Sequence, residues 1–109
     1  MLLWTTTTIW ITIYAMTKAR SIMKEKITLS ERVFIELVVW EVPSPLRGSL
    51  HHYKYRLALI SDGKCVLRYD NESGKGDHKH IGAVEVSYTF QDLQTLKDDF
   101  LEDVREWLK

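Results

Sequence analysis

Three stretches of alternating apolar and polar residues predict β-strands in the middle of the chain. Residues 33–42 are β-branched and apolar with two interrupting glutamates, as expected of a strand that buries one face. Residues 51–60 and 65–69 alternate in the same way. The Asp62-Gly63 pair between them is a strong signal for a tight hairpin turn, so these two strands should be antiparallel neighbours.

A fourth strand and a helix complete the predicted architecture. Residues 78–81 and 83–88 predict one strand that bends at Gly82. Thr89, with Asp92 three positions later, has the residue types of a helix N-terminus. The following helix carries an apolar stripe spaced by three and four residues: Leu93, Leu96, Phe100, Val104 and Trp107. The predicted fold class is α+β, an antiparallel sheet of about four strands packed against a long C-terminal helix.

The first 22 residues differ in character from the remainder. They contain no acid and six threonines before Lys18, and Met23 opens a run that looks like a natural start. We therefore interpret residues 1–22 as an N-terminal extension from a misplaced start, and residues 23–109 as the single domain. The alternative is a membrane anchor with Lys18 and Arg20 on the cytoplasmic side, although the apolar run is short for a spanning helix.

Charge is balanced over the whole chain but unevenly distributed. Fifteen basic residues match fifteen acidic ones, so net charge alone does not indicate a nucleic-acid partner. Residues 47–80 hold seven Lys and Arg against four acids, together with all four histidines, whereas residues 85–109 hold seven acids against three bases. A local basic face attracts phosphates even when the sum of charges is zero.

Strand alternation places successive side chains on opposite faces of the sheet. The side that bears Leu57 and Leu59 should face the helix, and the alternate residues should lie on an open face. The same reasoning buries Cys65 as a small core residue and turns Arg68 outward. As the one cysteine of the chain, Cys65 also excludes an internal disulfide and a cysteine-based zinc site. The open face is thereby predicted to gather three permanent cations and two imidazoles: Lys54, Arg56, Arg68, His78 and His80.

Residues 69–82 hold the densest set of titratable and hydrogen-bonding groups, in a segment too polar to add much to a core. Together with the open face they suit phosphodiester chemistry, because arginine and lysine hold phosphate and an imidazole transfers protons near neutral pH. RNA supplies its own 2′-hydroxyl as nucleophile, so such a site needs no metal and no cofactor. The predicted catalytic residues are His78 and His80, with Asp77 orienting a histidine. The predicted substrate-binding residues are Lys54, Arg56, Arg68, Lys79, Tyr53, Tyr55, Tyr69, Gly74 and Gly76.

The glycines and tyrosines of this set have distinct expected roles. Gly74 and Gly76 would let the loop approach the substrate backbone. The tyrosines would stack on exposed bases, provided that they emerge beyond the helix, because alternation puts them on its side of the sheet. Core packing is the alternative role, above all for Tyr55.

Two other interpretations of the polar face stay open at this point. Cross-strand ion pairs on an exposed face stabilise a sheet without any further function. A zinc site built from His78, His80 and one of His51 or His52 is the other alternative, since imidazoles bind zinc.

Three segments resemble the TumE family: ELVVWEVP at 36–43, HYKYRL at 52–57 and YDNESGKGDHKH at 69–80. Members of that family are toxin components of bacterial and archaeal toxin–antitoxin modules. The likeness covers about residues 23–108, and the last segment is its most specific part. The segment 27–34 is shorter than the corresponding part of the family's usual opening hairpin, so we expect the first strand to be weak or missing.

The resemblance implies a cytoplasmic type II toxin that arrests growth when unopposed. It also implies a partner, a small antitoxin that typically has a helix-turn-helix DNA-binding domain and is encoded next door. An open basic face on such a sheet is similar to RelE-type toxins, which cut messenger RNA, although those usually place two helices before the sheet. The leading hypothesis is a metal-independent ribonuclease that acts on RNA or the translation machinery. The alternative is a non-enzymatic toxin that blocks its target through the same basic face.

Overall fold

Six strands follow one another as an antiparallel meander in the computed structural model, which describes residues 18–109. Each strand pairs with the next one along the chain, and a helix follows the last strand. The elements are β1 (Arg20–Thr28), β2 (Val33–Glu41), β3 (Tyr53–Ser61), β4 (Lys64–Glu72), β5 (Gly76–Ile81), β6 (Val84–Ser87) and the helix α1 (Leu93–Leu108). The predicted α+β class is confirmed, with six strands in place of about four.

Two tight turns connect four of the six strands into hairpins, β3 with β4 and β5 with β6. Asp62 and Gly63 have φ angles of 51° and 75°, the positive values that a type I′ turn requires, and the predicted β3–β4 hairpin is confirmed. The predicted fourth strand is instead a second hairpin, in which β5 and β6 pair with each other. Gly82 has a φ of 60°, so the chain reverses there where a bend was expected.

β1 lies at one edge of the sheet, where the sequence predicted a weak or missing strand. It pairs with β2 along its length, from Arg20 opposite Glu41 to Thr28 opposite Phe34. Within this described strand only Met23 is partly buried. The expectation was wrong because backbone pairing holds β1, and an edge strand of this kind lacks the alternation that reveals strands in a sequence.

Only the last five residues of the predicted N-terminal extension, 18–22, belong to the part of the chain that the structure describes. Residues 1–17 lie outside the described residues, and with them most of the extension and of the alternative membrane anchor. β1 itself begins at Arg20, upstream of Met23. Among residues 18–109, no helix is both long and apolar enough to cross a membrane.

The apolar stripe of α1 packs onto one face of the sheet, as predicted. Leu96, Phe100 and Val104 are buried, whereas Trp107 near the end of the helix is 40% exposed. Their partners come from the three central strands: Ile35, Leu37, Val39, Tyr55, Leu57, Leu59, Leu67 and Tyr69. The other face of the sheet has no helix over it among the described residues, and we refer to it as the open face.

Asp92, and not Thr89, caps the helix. Its backbone is extended and its carboxylate accepts a hydrogen bond from the Thr95 N–H at 2.7 Å. This bond stabilises the charged form and holds the pKa of the Asp92 carboxyl below its usual value. Thr89 lies too early to cap, because the helix begins at Leu93.

Cys65 is exposed, which contradicts the prediction that it is a buried core residue. The reason is an irregularity in the β3–β4 ladder, where Leu59 pairs with Leu67 but Ile60 pairs with Cys65. Val66 is therefore an extra residue, and it packs against the core in place of Cys65. A one-residue insertion of this kind reverses the alternation beyond it.

We expect Asp92→Ala to lower the melting temperature at pH 7, because the Thr95 N–H loses its acceptor. The folded pKa lies below the unfolded one, so the contribution of the carboxylate is fully present above about pH 4 and is lost as the pH falls through the folded pKa. The difference in melting temperature from wild type should therefore shrink in acid. Asp92→Asn is the matched control, because its amide oxygen still accepts the bond but does not titrate. A difference for Asp92→Ala that is constant with pH would contradict a charge-assisted cap.

Candidate functional site

The open face carries two adjacent rows of polar side chains across β3 to β6. The register sets them opposite one another on neighbouring strands, first Arg56, Asp70 and His78, then Arg68, His80 and Glu85. The structure thus brings together Arg68, His78 and His80, which the sequence placed on this face. Asp70 and Glu85 also belong to the cluster, although sequence reasoning did not assign them to the site.

Arg68 determines the tautomer of His80. Arg68 Nη2 lies 3.1 Å from His80 Nε2, and because a guanidinium has only donors, the imidazole nitrogen must accept. The proton of His80 is therefore on Nδ1, which lies 3.8 Å from Glu85 Oε2. In this arrangement the lone pair of His80 Nε2 is already engaged by Arg68.

His78 is held differently and keeps its lone pair available. Its Nδ1 lies 2.9 Å from the Gly76 carbonyl oxygen, which accepts only, so the proton is on Nδ1. Its Nε2 is 3.6 Å from Glu85 Oε1, and no hydrogen bond to this nitrogen is formed within residues 18–109. A backbone carbonyl that orients one nitrogen and leaves the other exposed is the usual arrangement of a proton-transferring histidine.

Arg68 is tied to the acid of the neighbouring row. Its Nε lies 3.1 Å from Asp70 Oδ2, at ion-pair distance. The two groups are not aligned for a hydrogen bond, and this buried N–H has no acceptor in the described part of the chain. The guanidinium is therefore held by its ion pair with Asp70 and by its hydrogen bond to His80, and its Nε–H is left without an acceptor among the described residues.

A pocket opens at the other end of the same face. It has a volume of about 330 Å³ and is lined by Ala19, Val38, Trp40, Val42, Lys54, Tyr55 and Arg56. Lys54 is exposed and Arg56 is half-buried, and neither forms an ion pair with another residue of the range 18–109. We call this the Trp40 pocket. Sequence reasoning missed Trp40, although the burial of Ile35, Leu37 and Val39 follows an alternation that puts Trp40 on the open face.

Asp77 lies on the helix side of the sheet and does not orient His78 or His80, contrary to its predicted role. Its carboxylate accepts hydrogen bonds from three donors, at 2.6 to 2.7 Å: Ser49 Oγ, His51 Nε2 and Tyr55 OH. The Asp77 side chain is only 8% exposed. We call these four residues the Asp77 node, and its contacts hold the loop before β3 against β5.

His51 is fully engaged within this node. The Tyr53 N–H donates to His51 Nδ1 at 3.2 Å, so the other nitrogen carries the proton that is donated to Asp77. The Phe90 ring stacks on the imidazole with centroids 3.8 Å apart. A cleft of about 300 Å³ lies beside the node, but neither His51 nitrogen is available to a ligand there.

The predicted alternative of a zinc site is not assembled. His51 lies on the opposite side of the sheet from His78 and His80, and His52 Nδ1 contacts the Val42 carbonyl at 3.2 Å. Within the range 18–109, no group of three or more His, Cys, Asp and Glu side chains is arranged to hold a metal ion.

Lys79 and the predicted base-stacking tyrosines also lie on the helix side. Lys79 Nζ pairs with Asp103 of α1 at 3.3 Å, so it does not join the cations of the open face. Tyr55 and Tyr69 are 2% and 1% exposed, which leaves neither ring accessible to a base. Burial raises the pKa of both hydroxyls, as do their hydrogen bonds to Asp77 and Asp103. Core packing, the alternative role, is therefore the one these two tyrosines have.

Comparison with known families identifies the chain. The family model for toxin TumE matches residues 10–108, which is nearly the whole length. The protein belongs to the TumE toxin family. The match begins at residue 10, whereas the resemblance seen in the sequence began at about Met23. No curated protein and no solved structure matched the chain. Membership of a toxin family implies an antitoxin as partner.

The glycines in the most specific segment of this TumE-family toxin serve the packing of its own loops. A Cβ on Gly74 would lie 2.8 Å from Arg47 Nη2, and one on Gly76 would lie 2.8 Å from the Gly48 carbonyl oxygen. Both have positive φ angles, 91° and 76°. The close approach that they permit is that of the loop before β3, where the sequence suggested a substrate backbone.

We expect Asp77→Asn to destabilise this TumE-family toxin by about 1–3 kcal/mol, because the amide cannot accept from all of the donors that converge on the carboxylate. Urea unfolding followed by circular dichroism measures the change. Asp62→Asn is the matched control, since Asp62 is exposed in the β3–β4 turn and its substitution should cost less than about 0.5 kcal/mol. Equal stability of Asp77→Asn and wild type would contradict the structural role of the node.

Proposed function

We propose that this toxin acts on RNA as a metal-independent endoribonuclease, with its active site on the open face. The observation that carries the proposal is the state of His78, whose Nδ1–H is held by the Gly76 carbonyl while Nε2 faces Glu85 without a hydrogen bond among the described residues. A group poised in this way can accept a proton and have the resulting imidazolium stabilised by a nearby carboxylate.

The reaction balances without a metal or cofactor. The 2′-hydroxyl of the substrate attacks the neighbouring phosphorus, and His78 Nε2 takes the proton from that hydroxyl. The bond from oxygen 2′ to phosphorus forms as the bond to the 5′-oxygen breaks, and the 5′-oxygen receives a proton. The products are a 2′,3′-cyclic phosphate and a free 5′-hydroxyl. Cations beside the phosphate offset the charge that grows in the transition state.

His80 is the second proton-transfer group of this proposal, and Arg68 controls it. In the free protein the Arg68 guanidinium occupies the lone pair of His80 Nε2 at 3.1 Å. A guanidinium binds phosphate in a bidentate manner. A substrate phosphate that engages Arg68 would therefore release the lone pair of His80 Nε2. That nitrogen could then take up a proton from water and transfer it to the leaving 5′-oxygen, while the proton taken by His78 returns to water.

The partner proposed for this toxin is a small antitoxin with a helix-turn-helix DNA-binding domain, encoded by a neighbouring gene as in type II modules. Growth inhibition by the unopposed toxin in the cytoplasm, and its reversal by that partner, would complete the module. Family membership supports the toxin and the existence of an antitoxin. The type of antitoxin is part of the proposal.

A second candidate is a non-enzymatic toxin that blocks its target by occupying it. The charge distribution on the open face favours this alternative in one respect. Arg68 is already paired with Asp70, whereas Lys54 and Arg56, which have no ion-pair partner in the described chain, lie on the β2 side of the cluster. Binding through these two cations would need no proton transfer.

The two candidates are distinguished by His78→Gln, expressed in the full-length chain. For a ribonuclease we expect cleavage of a labelled RNA to fall by about 100- to 10,000-fold, the usual contribution of a general acid–base group, and growth arrest to be lost. Cleavage by wild type should persist in EDTA. His52→Gln is the matched control, because His52 is exposed and its ring contacts the Val42 carbonyl oxygen, away from the cluster.

His80→Gln and Arg56→Glu complete the test. The ribonuclease proposal expects both to reduce cleavage, whereas a blocking toxin tolerates both histidine substitutions and loses toxicity only with Arg56→Glu. Circular dichroism must show that each variant is folded. Undiminished growth arrest by a folded His78→Gln protein would contradict the ribonuclease proposal and support the non-enzymatic blocking toxin.

A further inference from the structure

We infer that the Trp40 pocket is a subsite for one unpaired nucleobase of single-stranded RNA, with the indole of Trp40 as the stacking surface and Lys54 and Arg56 as the contacts to the adjoining phosphates. This inference rests on the proposed action on RNA, and it adds the strandedness of the substrate and the residue that holds a base. The sequence assigned base stacking to tyrosines, so Trp40 was not expected in this role.

The position of Trp40 follows from the strand register. Its neighbours Val39 and Glu41 point the other way, so the indole lies on the open face directly opposite Lys54 on β3. Trp40 is 38% exposed, which is a large apolar surface to leave in water on a strand whose central inward residues, Ile35, Leu37 and Val39, are buried. The apolar side chains of Val38 and Val42 complete the floor of the pocket.

The charges around the pocket favour a phosphate. The nearest acid on β2, Glu41, is already paired with Arg20 at 2.9 Å, and it pairs in register with Tyr53. Lys54 and Arg56 form no ion pair within the described range, so both charges are available. An aromatic face beside two such cations matches the two parts of a nucleotide, because every base has a π-face and every phosphate a negative charge.

The pocket is also placed correctly relative to the proposed chemistry. Arg56 belongs to both features, since it lines the pocket and lies in the cross-strand row that continues through Asp70 to His78. A base stacked on Trp40 would therefore belong to a nucleotide near the scissile phosphate along the RNA strand. A paired base in a duplex has both of its faces stacked on neighbouring pairs, which is why the pocket selects a single strand.

Trp107 offers an unusually close internal control. It is 40% exposed, against 38% for Trp40, but it lies on the helix side, where Asp103 and Glu106 line its pocket. These carboxylates pair with Lys79 and Lys109, so no unpaired cation lines this pocket among the described residues. A substitution of Trp107 therefore tests the loss of an exposed indole without the cations that the inference requires.

The experiment measures binding of a fluorescein-labelled, fully 2′-O-methylated single-stranded oligoribonucleotide to the full-length toxin by fluorescence anisotropy. The methyl groups remove the nucleophile, so cleavage does not interfere. We expect Trp40→Leu to weaken binding by about five- to hundredfold, the usual effect of losing one stacked base. Trp40→Phe should retain most of the affinity, and Trp107→Leu should match wild type. A duplex of the same sequence should bind more weakly, with no difference between wild type and Trp40→Leu.

The salt dependence of binding tests the cations separately. Each phosphate contact on a single strand contributes about 0.7 to the slope of log K against log salt. Lys54→Gln should lower that slope by about this amount, whereas Lys64→Gln, a charge-matched change at the distant start of β4, should leave it unchanged. Equal slopes for all three proteins would remove Lys54 from the subsite.

The outcomes separate the inference from the function on which it rests. Tight single-strand binding that is insensitive to Trp40→Leu would overturn the subsite and leave the action on RNA intact. A preference for the duplex would overturn the subsite as well. Absence of binding to any RNA by the wild-type toxin would overturn the action on RNA and the subsite together.

Discussion

The buried carboxylate of Asp77 is the interaction on which the open face depends. It accepts from three donors that belong to the loop before β3 and to β3 itself, while Asp77 sits on β5 opposite Asn71 of β4. Since side chains alternate along a strand, an inward Asp77 requires His78 to point outward. A slip of one residue would expose the carboxylate, strip it of its donors and bury the imidazole. The Asp77 node thus sets the register that delivers histidines to the open face, without touching them.

Asn71 extends this control to the neighbouring strand. The backbone pairing of β3 with β4 ends at Arg56 and Asp70. Beyond that point the Asn71 side chain replaces the backbone hydrogen bonds. It accepts from the Tyr55 N–H at 2.9 Å and donates to the Tyr53 carbonyl at 2.8 Å. β3 and β4 therefore stay in register at the point where their direct pairing ends. The segment 69–80 that is most specific to the family has a double use. Its inward residues hold the sheet, and its outward residues form the candidate site.

That double use explains which features of the fold and of the candidate site could be predicted from the sequence and which could not. The β3–β4 hairpin, the stripe of α1 and the two faces of β3 follow from local chemistry and from periodicity, and all three are present. Cys65 was misplaced because a bulge reverses alternation and has no signal in a single sequence. Asp77 and Lys79 were assigned to the site because composition shows that a segment is polar but not which of its residues find partners on other elements. Trp40 was overlooked for the converse reason, since an indole in an apolar strand is usually a core residue.

The distribution of charge supports a division of labour between the two sides of the sheet. The acids of α1 engage partners on the helix side, as Asp103 does with Lys79 and with the Tyr69 hydroxyl, and the sheet separates them from the open face. On that face the acids Asp70 and Glu85 lie close to Arg68 and the histidines, and the cations Lys54 and Arg56 lie beside Trp40. A chain with no net charge therefore still offers a phosphate one approach with little opposing charge, which is the Trp40 pocket. In the proposed mechanism, a ligand that enters there follows the Arg56 row towards His78, so that base binding and proton transfer would be adjacent and would have Arg56 in common.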